Sequence, residues 1–204
     1  MRRNKHHIKS FIYIESRVET INNQTVALVA NHLNKTNSKW AVGGSLLLKQ
    51  RDIINQVNDM DIIVHRDGVN QILGELVKLG EERVVTPLDP YATTYYYEFN
   101  ILDLSMDVMG EFKIRHEDGV YVLPFEEQQI EFYDVEGVDV PFCTLESWYI
   151  LYQLIPGREK KVAMIENYFK LNGVKHPSIL ENAINNALPK RVIERIQPLI
   201  EKVV

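Results

Sequence analysis

Trp40-Ala41-Val42-Gly43-Gly44-Ser45 is followed, with 14 residues separating Gly44 from Asp59, by Asp59-Met60-Asp61-Ile62-Ile63-Val64. In the first stretch a short apolar strand runs into two glycines. Glycine lets backbone approach a ligand closely, and N–H groups at such a turn cradle phosphate. Ser45 adds a hydroxyl, although tight turns use the same residue types. In the second stretch side chains alternate along a strand, so Asp59 and Asp61 share a face while Met60, Ile62 and Val64 point to a core. Two carboxylates crowded on an apolar strand repel each other and are costly unless water or a cation joins them. A hard divalent ion suits such a pair, since Mg²⁺ usually takes one or two carboxylates plus substrate phosphates. Taken alone, each motif has a plainer explanation, a solvated strand end or a simple turn.

A third stretch, Leu104-Ser105-Met106-Asp107-Val108-Met109-Gly110, carries another carboxylate in an apolar run. Asp103 lies four residues earlier, so a regular strand puts both on one face. A carboxylate in either place needs a metal or a proton to abstract. Spacing alone leaves the choice between them open.

Around these stretches the pattern predicts an amphipathic helix over 16–34, a short helix over 45–49, and a helix capped by Asp67 and ended by Gly80. Strands are expected over 83–85, 94–99, 101–108, 112–115 and 120–122, then on both sides of Gly137. Four helices are expected after Pro141, over 145–154, 158–171, 177–187 and 190–202. Residues 1–140 therefore read as an α/β domain and 141–204 as a helical domain.

The chain has 204 residues, enough for one sizeable core. Lys and Arg number 23 against 28 Asp and Glu, a net charge of -5, which speaks against a long nucleic-acid partner. A single cysteine, Cys143, excludes an intramolecular disulfide framework and a multi-cysteine zinc site. No stretch reaches 18 apolar residues, so no membrane partner is expected. The basic start through His6 and His7 lacks an apolar run behind it, and a cytoplasmic setting is expected.

Gly43-Gly44-Ser45, Asp59-x-Asp61 and Asp107 together resemble the nucleotidyltransferase superfamily of the DNA polymerase β type. The resemblance spans about residues 40–110. The helices after Pro141 are similar to those of its small stand-alone branch, which includes aminoglycoside and lincosamide nucleotidyltransferases. The fold this implies is α+β: a mixed β-sheet nucleotidyltransferase core with flanking helices, followed by a C-terminal helical cap. The implied reaction moves a nucleoside monophosphate from an NTP such as ATP to a hydroxyl of a small molecule or protein, releasing pyrophosphate. The resemblance makes Asp59, Asp61 and Asp107 the catalytic and metal-binding residues, with two Mg²⁺ ions, or Mn²⁺, as cofactor. Gly43, Gly44 and Ser45 would bind the nucleotide, with Lys160 and Lys161 reaching it from the cap. Lys49 and Arg51 are further cations behind the glycine turn. The competing expectation is a non-catalytic nucleotide-binding module of regulatory or toxin–antitoxin type.

Tyr91 and Tyr95-Tyr96-Tyr97 offer stacking surfaces but equally suit plain strand structure. Trp40 and Trp148 are expected to anchor the core, and Cys143 to be small and buried.

Overall fold

The computed structural model describes residues 21–83 and 85–201. His6, His7 and the first residues of the expected N-terminal helix lie outside them. The chain runs α1 (Asn23–Leu33), β1 (Trp40–Val42), α2 (Gly44–Gln50), β2 (Asp59–Val64), α3 (Val69–Leu76) and β3 (Glu81–Arg83). Then come β4 (Tyr95–Ile101), β5 (Leu104–Gly110), β6 (Lys113–His116), β7 (Gly119–Val122), β8 (Ile130–Val135) and β9 (Val138–Cys143). The helices α4 (Leu145–Leu154), α5 (Glu159–Asn172), α6 (Pro177–Ile184) and α7 (Lys190–Ile200) complete the order.

Seven strands form one mixed sheet in the order β3-β4-β5-β2-β1-β9-β8, and β6 with β7 forms a separate hairpin. This is the expected α+β architecture. β2 holds the central place, antiparallel to β1 and parallel to β5. Its sequence explains the position: Met60, Ile62, Ile63 and Val64 are fully buried, while Asp59 and Asp61 at its start keep partial exposure. All ten residues of α4 are buried, because this helix lies between the sheet side and the helices α5 and α6. One hydrophobic core runs from Val26 through Trp148 to Ile196. Among the described residues no helix is long and apolar enough to cross a membrane.

Several boundaries differ from the sequence pattern, each for a local reason. α1 starts at Asn23 because the Asn22 side chain accepts the Gln24 N–H at 2.9 Å and caps it. Asp67 caps no helix. It sits in a 3-10 turn, Arg66–Gly68, and α3 begins only at Val69 and ends at Leu76, short of Leu79. The strand expected over 83–85 is Glu81–Arg83, paired with β4. β4 continues to Ile101, so the β4–β5 turn falls on Leu102-Asp103, with Leu102 at φ 55°. Asp103 is therefore at a hairpin tip, accepting from Thr25 Oγ1 at 2.9 Å, while Asp107 stays within β5.

Candidate active site

The parallel register of β2 and β5 sets Asp61 directly opposite Asp107 and Asp59 opposite Ser105. Neighbouring strands lie about 4.8 Å apart, so the Asp61 and Asp107 side chains emerge side by side. All three aspartates line one cavity of about 460 Å³. Across it are Gly44 and Ser45 from the start of α2, and Arg158 and Lys161 from the start of α5.

The two glycines do different work. Gly44 has φ +58°, and a Cβ placed on it would fall 1.7 Å from Asp61 Oδ2. It needs both the left-handed conformation and the absent side chain. Gly43 lies behind the cavity wall. Its N–H donates to the Asp61 carbonyl at 2.8 Å, and a Cβ there would strike the Trp148 ring at 2.2 Å. Gly43 thus holds the backbone beneath Asp61 and provides the floor on which Trp148 lies.

Lys161 Nζ donates to Ser45 Oγ and stands over the Tyr152 ring, 5.1 Å from its centroid. Arg158 keeps a buried Nε that has no hydrogen-bond partner among the described residues. Lys160 points to solvent and does not line the cavity. Lys49 and Arg51 do not line it either. Arg51 instead pairs with the buried Glu131 and lies over Tyr133. Lys175 and His176 also reach Glu131, His176 at 3.1 Å.

Charge in the cavity is unbalanced. Loss of water, together with the Asp59 and Asp107 carboxylates, pushes Asp61 from 3.8 up to about 7, although Lys161 and Arg158 pull the other way. Burial, then Glu98 and Asp59, raises Asp107 to about 6 against the hydrogen bond from Tyr96, whose Oη donates to Asp107 Oδ2 at 2.9 Å. Burial and its neighbour Arg158 lower Lys161. Crowded carboxylates with oxygen donors alone fit a hard divalent cation, whose charge would relieve both aspartates. Among the described residues no three His, Cys, Asp or Glu side chains form a ready-made metal cage.

An aromatic wall closes the other side. Phe112 and Trp148 stack with rings 6.2 Å apart and 3° from parallel, and Tyr91 lies 6.1 Å from Phe112. Tyr91, Tyr96 and Tyr152 also face the cavity, whereas Tyr95 and Tyr97 do not line it. Trp148 is thus both a core anchor and a wall. Arg158 was missed as a site residue, although its signal was present. Residues three apart on a helix share a face, so Arg158 pairs with Lys161, while Lys160 lies about a quarter-turn away.

Carboxylates on adjacent central strands face a glycine turn and two cations across one cavity, and the fold is that of solved nucleotidyltransferases. A candidate nucleotidyltransferase from Thermotoga maritima superposes with a TM-score of 0.56 at 20% identity, covering 73% of this chain and 92% of that one. The antibiotic-resistance factor ANT(2'')-Ia in complex with adenylyl-2''-tobramycin gives 0.52 at 12% identity, covering 89% of this chain and 97% of its own. Its solution structure gives 0.53 at 13% identity, covering 89% and 90%. No family model matches the sequence, and no curated protein matches it significantly.

Proposed function

We propose that this chain is a metal-dependent nucleotidyltransferase that moves a nucleoside monophosphate from an NTP to an acceptor hydroxyl and releases pyrophosphate. The observation that carries this is the registered pair Asp61 and Asp107, with Asp59, facing Ser45, Arg158 and Lys161 across one cavity. Asp59, Asp61 and Asp107 would hold Mg²⁺ or Mn²⁺, which would supply positive charge to activate the acceptor hydroxyl and to stabilise the leaving pyrophosphate.

The chain's own groups do the rest. Lys161 and Arg158 bind the outer phosphates, and the vacant Arg158 Nε gives one of them an unused donor. Ser45 Oγ turns from Lys161 to the same phosphates. Gly44 keeps the backbone low enough for them to approach Asp61. Asp107 takes the proton of the acceptor hydroxyl, a role that its place on the cavity wall opposite Asp61 allows. The four C-terminal helices act as the cap: α5 supplies the cations and α4 the aromatic wall.

The cavity volume lies in the range of about 300–1,000 Å³ usual for small-molecule sites, which favours a small acceptor over a protein chain. The tobramycin adduct held by ANT(2'')-Ia supports the same reading. Incubation with Mg²⁺, each labelled NTP and a panel of hydroxylated small molecules tests it. Pyrophosphate release is expected with at least one acceptor, falling about 10²–10⁴-fold in Asp107→Asn, the usual worth of a general base. Failure of every NTP to bind in the presence of Mg²⁺ or Mn²⁺ overturns it.

A further inference from the structure

Tyr96 occupies an unusual place for a strand tyrosine. It lies on β4, two residues before Glu98, and Glu98 is directly opposite Asp107 on β5. Residues two apart share a face, so Tyr96 and Asp107 are diagonal cross-strand neighbours, a separation that a tyrosine ring spans. The phenol Oη reaches Asp107 Oδ2 at 2.9 Å and faces the cavity. Three tyrosines line that cavity, and among the described residues only Tyr96 donates to one of its carboxylates. The carboxylate that would receive an acceptor's proton already accepts a hydrogen bond from a hydroxyl belonging to the chain.

We infer that Tyr96 is itself a nucleotidyl acceptor, so that the chain modifies its own Tyr96 Oη when no external acceptor fills the cavity. This rests on the nucleotidyltransferase reading above. The co-substrate is a nucleoside triphosphate. A lone pair on Tyr96 Oη forms the new bond to the α-phosphorus. The bond from that phosphorus to the oxygen bridging to the β-phosphate breaks, and pyrophosphate leaves with its electron pair. The phenol proton passes to Asp107 Oδ2. The product is a phosphodiester between tyrosine and the nucleoside. Tyr96 is held within a paired strand and beside Tyr91, whose ring is 6.5 Å away, so its hydroxyl is presented to the site in a fixed position.

The full chain is incubated with labelled NTP and Mg²⁺ without acceptor, then denatured and mapped by mass spectrometry, while calorimetry follows NTP binding in parallel. One nucleoside monophosphate is expected on Tyr96, at a rate per chain independent of protein concentration. The label is lost in Tyr96→Phe, which still melts cooperatively, and is formed about 10²–10⁴-fold more slowly in Asp107→Asn. Wild-type chain that binds NTP with Mg²⁺ yet carries no label, or carries it on Tyr91, Tyr152 or elsewhere, overturns the assignment and leaves the nucleotidyltransferase reading standing. Wild-type chain that binds no NTP at all removes both.

Discussion

Lys161 in the first turn of α5 donates to Ser45 Oγ in the first turn of α2 at 2.6 Å, across 116 residues of sequence. The contact joins α5 to the glycine turn at the cavity that the aspartates also line. Each partner is a donor suited to phosphate, and each is held by the other until an anion arrives.

Replacing Lys161 by Ala should therefore weaken NTP binding about 10–100-fold, since a charge-assisted hydrogen bond contributes roughly 1.5–3 kcal/mol. Lys160→Ala should change it by much less, because that side chain points to solvent. Titration calorimetry with NTP and Mg²⁺ on both variants checks this. Equal losses would show that the two lysines act together as a diffuse charge.

Stability of the metal-free protein should fall as pH rises from about 4 to 7. In that window the unfolded chain has released the protons of Asp61 and Asp107, while the folded chain still holds them at about 7 and about 6. The folded state binds more protons there, so a rising pH favours unfolding. Added Mg²⁺ should reverse the trend, raising the melting temperature more at pH 8 than at pH 5.5. Thermal melts with and without Mg²⁺ across that range decide the matter. A Mg²⁺ effect of the same size at both values would count against the aspartates as ligands.

Gly44→Ala should damage the site more than the fold. The left-handed conformation costs a non-glycine residue roughly 1–2 kcal/mol, and the new methyl group would also displace the Asp61 carboxylate. Mg²⁺-dependent nucleotide binding should be lost in a protein that still melts cooperatively. Wild-type binding by the variant would mean that the turn relaxes freely around Asp61.

Glu131→Ala should destabilise the protein by about 3–5 kcal/mol, because it leaves the half-buried Arg51 without its anion beneath Lys175 and His176. Urea denaturation of the variant measures it. A change below about 1 kcal/mol would show that the cluster behaves like an exposed ion pair.

Much of this arrangement was legible in the residues. The strand Asp59–Val64 has the predicted bounds because its alternation at the start and its continuous apolar run at the end both survive burial in a central strand. Helix α4 has the predicted bounds, as seven of the ten residues over Leu145–Leu154 are apolar. Asp103 and Asp107 were not separable by spacing, since the deciding fact is a turn at Leu102-Asp103 fixed by pairing between β4 and β5. Arg51 follows the glycine turn closely and counted there only as a further cation. Its partner Glu131 lies 80 residues away, and no local pattern announces that contact. Tyr96 and its tyrosine neighbours are alike in composition, and only the register of a neighbouring strand distinguishes the one that meets Asp107.

The seat of Trp148 against Gly43 has a consequence for how such a protein can change. β9 is locked to the central sheet by the pairing of Phe142 with Val42, and α4 starts only three residues later. One residue inserted between Cys143 and Trp148 would turn α4 by about 100° and carry the indole off the glycine. The shape of the cavity can then change by exchanging side chains around it, or by lengthening the segment that includes Ile54 and Asn58. The single residue between β9 and α4, Thr144, thus ties the placement of the indole to the pairing of β9 with the sheet.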